Sequence, residues 1–354
     1  MAVCLDCDME MKKRWIFAVL CSGFVMDASA QQAGANATRL EGVGRQGQNQ
    51  AVTQRAEEVR SDAAGGAQEG VAPELFPGES DDLGPQQLLL KKPRPKMFEL
   101  STETQAVFSS NALLSETGHR GVGVFVQSAS LTFAPRPLEI GDVKLALRTG
   151  YRQQFWFYEP TTKNLNSLDF AFSGVFTSVR AILSDEWSVN LGMDYSRVLG
   201  FSDRSNWRSS PENYVDWTPS ISVDYSKKVA EKVGFSASWI TSVHWTDSAS
   251  WRGRATDRDN DRIDHSVVVS LSWQAASKLV VQPNVRVQRV DYFEGKRADW
   301  FLSAGLGLIV PLTEAFSVRA NLSIEQRESN DVLFGTPDYR KLDASLSLSG
   351  FLRF

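Results

Sequence analysis

Three histidines, His119, His244 and His265, hold all the imidazole chemistry of this 354-residue chain. A hydroxyl nucleophile needs a base held beside it, and a His-x-Ser pair on one strand supplies both. His244-Trp245-Thr246 comes nearest, with threonine a poor stand-in for that serine. No Asp-x-His arrangement is present to pair carboxylates with an imidazole. Asp257, Asp259 and Asp261 alternate like oxygen ligands for calcium. The central glycine and late glutamate of such a loop are missing, and Arg258 and Arg262 intrude. Cys4-Leu5-Asp6-Cys7 has half the spacing of a zinc site and no second pair. Gly305-Leu306-Gly307 opens no helix, so it makes no phosphate cradle. The chain is expected to have no catalytic residues, no metal ligands and no cofactor, and His244 to play an ordinary polar role.

The elements that carry these residues are strands. From Leu342 to Phe354, Leu342, Ala344, Leu346, Leu348, Gly350, Leu352 and Phe354 fall on one face. Asp343, Ser345, Ser347, Ser349 and Arg353 fall on the other, interrupted by Phe351. Period two means one apolar face and one wet face. Trp187, Val189, Leu191, Met193 and Tyr195 oppose Ser188, Asn190, Gly192, Asp194 and Ser196 in the same way. So do Val233, Phe235, Ala237, Trp239, Val243 and Trp245 against Gly234, Ser236, Ser238, Ser242 and His244. Phe316 to Glu325 repeats the pattern. Many strands run about ten residues or more, the length a tilted strand needs to cross a bilayer. A soluble sandwich alternates too, but rarely sustains strands this long.

Connections sort by length. Ser184 to Glu186, Lys227 to Glu231, Ala275 to Lys278 and Thr313 to Ala315 are short. Those between them, Ser202 to Asn213, Thr246 to Asp261 and Glu328 to Asp338, are long and polar. Short periplasmic turns and long outer loops are the habit of outer-membrane barrels. Trp156 with Tyr158, Trp187, Trp217, Trp245, Trp251, Trp273 and Trp300 cluster near strand ends, the place of interfacial rings. The expected strands are 97–109, 121–133, 141–158, 166–183, 186–200, 214–226, 232–246, 262–274, 278–293, 299–311, 315–327 and 340–354. Phe125 to Phe133 alternates poorly, and Val175 to Leu183 switches its apolar face, as a β-bulge would make it do.

At the front, Met11-Lys12-Lys13-Arg14, the apolar run Trp15 to Val25 and Ala28-Ser29-Ala30 make a signal peptide over 1–30, with 1–10 a mis-assigned start. Leu20 is too bulky before Cys21 for a lipoprotein signal. Residues 31–96, rich in Gly, Ala, Gln and Glu and punctuated by Pro73, Pro77, Pro85, Pro93 and Pro95, read as a disordered periplasmic linker.

A net charge of −4 gives no hint of nucleic-acid binding. The mean hydropathy of −0.25 and the lack of long apolar runs exclude helical spans while leaving a barrel possible. On the wet faces most side chains are small, among them Ser188, Gly192, Ser220, Ser222, Ser236, Ser238, Ser270, Ser272, Ser303, Gly305, Ser345 and Ser347. Lys144, Arg148, Arg152, Arg286, Arg319, Glu325 and Arg353 are the long ones expected to line the lumen. Two states follow from this set. Either the small wall leaves a narrow water-filled passage with a cationic side, biased toward anions, or the arginines pair with Asp194, Asp224 and Glu325 and close it.

A terminal strand ending on Phe354, with Leu348 and Leu352 on its apolar face, resembles the assembly signal of bacterial outer-membrane barrels. Ser349 stands where that signal usually has glycine, and Gly350 follows one place later. Over 97–354 the chain resembles the porin-like outer-membrane β-barrel proteins of Gram-negative bacteria. The resemblance implies an all-β fold, a transmembrane antiparallel up-and-down β-barrel of about twelve strands. Its partners are then outer-membrane lipid, lipopolysaccharide and the barrel assembly machinery. The function implied is a small channel for polar or anionic solutes; the alternative is a non-conducting or adhesin-like barrel whose loops bind partners.

Overall fold

The computed structural model describes residues 96–112, 114, 116, 121–159, 169–200, 212–247, 260–294, 296–330 and 338–354. The signal peptide and nearly all of the linker lie outside the described residues, as do His119, Trp251, Asp257 and Asp259.

The described chain is strand throughout: β1 (Phe98–Ser109), β2 (Val122–Phe133), β3 (Leu138–Ile140), β4 (Val143–Tyr158), β5 (Phe170–Ile182), β6 (Trp187–Gly200), β7 (Glu212–Ala230), β8 (Val233–Asp247), β9 (Arg262–Ala276), β10 (Leu279–Tyr292), β11 (Ala298–Pro311), β12 (Phe316–Ser329) and β13 (Tyr339–Arg353). Each pairs antiparallel with its neighbours in one sheet, which the β2–β4 pairing closes. β2 covers Thr149 to Tyr158 of β4, and the extra strand β3 covers Val143 to Leu145 below it. The result is a closed antiparallel barrel of twelve strands with one additional short strand. First and last strands meet side by side, from Glu99 against Arg353 to Ser109 against Asp343. Both chain ends of the barrel therefore sit at the short-turn end.

Apolar outward positions are exposed along the whole wall, for example Leu191, Ile221, Val267, Val285, Leu302, Leu322, Leu346 and Leu348. An exposed apolar band with a polar inside inverts a soluble protein and suits a hydrocarbon surround. Rings gather at both ends. Phe98 packs on Phe133 at 5.3 Å and on Phe354 at 5.8 Å at the turn end, where Trp187 also meets Tyr225 at 4.8 Å. Tyr195 meets Trp217 at 4.5 Å at the loop end. Proline breaks two ladders locally, since it has no N–H to give. The β7–β8 pairing skips Thr218 and Pro219, and the β10–β9 pairing skips Gln282 and Pro283.

Three expectations need correction. Trp156 and Tyr158 are not interfacial; both are buried inside the barrel, Trp156 stacked on Phe170 at 5.4 Å. β5 contains no bulge, because it pairs in unbroken register with β4 and β6. Its apparent face switch arises because Phe176 and Ile182 take the inward parity of the strand, Phe176 lying under the Arg152 guanidinium, while Phe170 and Phe172 toward the loops join an apolar patch with Val122, Val124 and Val126 of β2. The turn assigned to Lys227–Glu231 is narrower, since β7 continues to Ala230.

Candidate functional site

Alternation puts every second residue of the barrel into the lumen, and burial there changes with height. On β9 the inward series Arg262, Asp264, Ser266 and Val268 is buried, whereas Ser270, Ser272 and Gln274 toward the turns are half-buried. β8 repeats it, with Ser238, Ile240, Ser242, His244 and Thr246 buried but Gly234 and Ser236 half-buried. On β12, Arg327 and Glu325 are buried, Ser323 is half-buried and Asn321 is exposed. On these three strands the inward face is more open toward the turns than toward the loops, while inward Ser188, Asn190, Ser222, Asp224 and Ser347 on other strands are buried near the turns as well. Small side chains make the room and long ones fill the rest.

What fills the loop end is a charge network. Asp299 is fully buried and accepts from Arg297 at 2.6 Å, Arg327 at 2.7 Å and Ser329 at 2.6 Å. Arg327, 1% exposed, also lies over the rings of Phe301 and Tyr339. His244 Nδ1 lies 2.7 Å from Asp216 and Nε2 lies 3.3 Å from Asp264, which Arg262 and Gln288 also approach. Buried charges persist only when matched in this manner.

Ser242 stands 3.4 Å from His244 Nε2, which makes a Ser-x-His pair on one strand backed by Asp216. Reading the chain for the order His-x-Ser misses it. The grouping lacks the geometry of a nucleophile and its base, which leaves that nitrogen free toward the serine. Here Asp264 contests the same nitrogen, and Ser242 is 2% exposed. The cluster is a structural tie between β7, β8 and β9.

The long residues named from the sequence keep the inward parity of their strands, with Lys144 and Arg353 more than a third exposed near the turn-end rim. Arg148 and Arg353 converge on Glu99 of β1, at 2.7 and 2.9 Å. Arg152 of β4 reaches past β5 to Asp194 of β6 at 2.6 Å. Glu325 accepts from Tyr339 at 2.8 Å and lies 3.5 Å from Lys341. Arg286, 2% exposed, reaches Ser266 at 3.5 Å. Arg319 sits half-buried in register with Ser347, and Lys144 stands at the turn-end rim against Glu139 at 3.6 Å. Lys144, Arg148, Arg152 and Arg353 thus lean on carboxylates, and the anion bias expected from the cations alone is reduced by that pairing. Of the pairings foreseen for them, Arg152 with Asp194 forms, and Asp224 accepts from Ser222 and Ser238.

One element was not foreseen. After β1 the chain turns in over the loop end: Asn111 is fully buried and its amide donates to the Arg340 carbonyl at 3.2 Å. Ala112 joins the apolar patch of β1, β2, β4, β5 and β6. Leu114, at φ +53°, joins Val290, Tyr292, Phe301 and Tyr339 on β10, β11 and β13. Asn111, Ala112 and Leu114 therefore touch two walls of the lumen and narrow it.

The terminal strand places Leu348, Leu352 and Phe354 outward and exposed. Phe354 and Phe98 exchange backbone hydrogen bonds at 3.0 Å each, which ties the chain's end to β1.

No family model and no curated protein matches the chain. Among solved structures, the KdgM porin in complex with disordered oligogalacturonate is similar over 71% of this chain and 98% of that one, with TM-score 0.36 and 6% identity. The NanC porin is similar over 70% and 98%, with TM-score 0.40 and 11% identity. The outer membrane channel DcaP of Acinetobacter baumannii is similar over 72% and 97%, with TM-score 0.37 and 9% identity. On its own strands, with an even-numbered closed sheet, a polar inside and an apolar outer band between aromatic girdles, the chain has the architecture of a porin-like outer-membrane β-barrel.

Proposed function

We propose that the protein sits in a bacterial outer membrane and forms a narrow channel for small polar solutes. The carrying observation is the polar lumen, in which small residues and exposed Asn321 lie on one strand with buried Glu325 and Arg327 of the network around Asp299. A space lined by serine, asparagine and glycine holds water, and the network with Asn111, Ala112 and Leu114 sets its narrowest level. Because lumen cations pair with carboxylates, charge selectivity is expected to be weak rather than strongly anionic. Planar-bilayer recording of the purified protein tests this reading. Small, steady conductance steps support it, and silence across many insertions would sink it. Silence would instead favour a non-conducting barrel whose loops bind partners, a reading favoured by the fully buried loop end. Export through a cleaved signal peptide and insertion by the barrel assembly machinery, with lipopolysaccharide around the loop end, complete the proposal.

A further inference from the structure

The short strand β3 leaves one edge of the sheet uncovered. It continues β2 along the same side of β4, around a bulge. Between the Phe133–Thr149 and Leu138–Leu145 pairs, Ala134 to Pro137 span the shorter stretch Ala146 to Arg148. The hairpin turns through Gly141, at φ +60°, and Asp142, so Ile140 and Val143 make its last pair. A two-residue turn closes on a hydrogen-bonded pair, and such pairs alternate along an antiparallel ladder. Leu138 and Ile140 therefore direct their backbone groups at β4, and the N–H and C=O of Glu139 point the other way. Among the described residues no strand pairs with that side, and Leu138, Glu139 and Ile140 are all exposed. A bare edge of this kind takes up a further strand.

The start of the barrel lies in line with it. β1 covers the same side of β2, and its pairing runs past Phe98, since the Ala134 N–H donates to the Met97 carbonyl at 2.7 Å. Glu139 stands five residues after Ala134, and Lys92 five residues before Met97. Lys92 is followed by Pro93-Arg94-Pro95. A residue before proline is held extended, so Lys92 and Arg94 are both preset for a strand. With Lys92 turned toward β3, alternation turns Arg94 the same way. Both prolines then put their missing N–H on the outer side, where an edge strand tolerates it.

We infer that residues 92–95 dock on β3 as an added edge strand, with Lys92 opposite Glu139. Position selects this occupant. Charge does not, because Arg136 and Lys144 balance Glu139 and Asp142. A segment joined to Met97 meets β3 at an effective concentration of about millimolar, without having to diffuse there. Directly opposed residues share a face, so Lys92 joins Glu139 and Lys144 at the turn-end rim. The chain before β1 is thereby fastened beside the mouth of the lumen.

Disulfide trapping in the purified, folded full chain tests the inference, with Cys4→Ser, Cys7→Ser and Cys21→Ser as background. Lys92→Cys with Glu139→Cys is expected to close an internal disulfide, read as a band whose migration changes on reduction. Lys92→Cys with Glu231→Cys, in the turn between β7 and β8 across the barrel, is expected to close at least several-fold more slowly. Equal rates for the two pairs, or no closure with Glu139→Cys, overturn the inference. Hydrogen exchange supplies a readout without cysteines. Lys92→Pro with Arg94→Pro strips the segment of each N–H that would face β3 and leaves every barrel strand untouched. The Glu139 amide is expected to exchange several-fold faster in that variant than in the native chain. An amide that exchanges as fast in the native chain as in the variant contradicts the proposal.

Discussion

At the residue scale, the buried ion pairs of the lumen carry more weight than anything on the surface. Asp299→Ala leaves Arg327 and Arg297 without the carboxylate both reach. Removing one partner of a buried pair costs about 3–5 kcal/mol, so urea unfolding of the folded barrel should show a loss of that order. A change under about 1 kcal/mol, the range of exposed pairs, would mean that water reaches this network. The outer wall gives a sharper contrast. Leu346→Arg places a charge on an exposed, lipid-facing position and should cost about 2–4 kcal/mol near the midplane. Asn321→Arg on the neighbouring strand points into the lumen at an exposed position and should be nearly neutral. Similar losses in both variants would contradict the assignment of faces. Ser347, on the wet face by alternation, is not an equivalent site for that test. It is 3% exposed and in register with Arg319, so an arginine there meets a like charge in a closed space.

At the scale of elements, the alternation from Trp187 to Phe354 placed strands and faces correctly because those strands are apolar outside and polar inside along most of their length, with Val290, Tyr292, Phe301 and Tyr339 as inward exceptions near the loops. Phe125 to Phe133 of β2 and Val175 to Leu183 along β5 read poorly because apolar Val126, Phe176 and Ile182 fall on the inward face while Gln127, Ala129 and Thr177 fall on the outward one. The site was legible in part. Inward cations were found, Lys144 and Arg353 at strand ends among them, but Glu99, Asp299 and Arg327 escaped notice although they continue the same parity. Asn111, Ala112 and Leu114 carry no periodic signal, since their placement depends on contacts with strands far along the chain. Parity makes a topological prediction. An epitope inserted after Arg258, between β8 and β9, should be labelled on intact cells, and one inserted after Ser277, in the turn before β10, should not. The reverse pattern would invert the barrel. Deleting Phe354 removes its paired backbone bonds with Phe98 and should slow appearance of the heat-modifiable folded form in pulse labelling; unchanged kinetics would deny the terminal residue that role.

At the scale of the molecule, a polar interior wrapped in an apolar wall makes sense only where the surround is less polar than the lumen. On the proposed channel function, replacing Asn111, Ala112 and Leu114 with glycine should raise single-channel conductance, and an unchanged value would place the constriction elsewhere. The most direct test of the membrane-spanning barrel is a single-cysteine scan of β12 from Val318 to Ile324, with nitroxide labels in liposomes. Val318, Ala320, Leu322 and Ile324 should respond to dissolved oxygen, which partitions into lipid, and Arg319, Asn321 and Ser323 to a water-soluble nickel chelate, alternating residue by residue. A uniform response along the strand, or a chelate response on both faces, would contradict a strand with lipid on one side and water on the other.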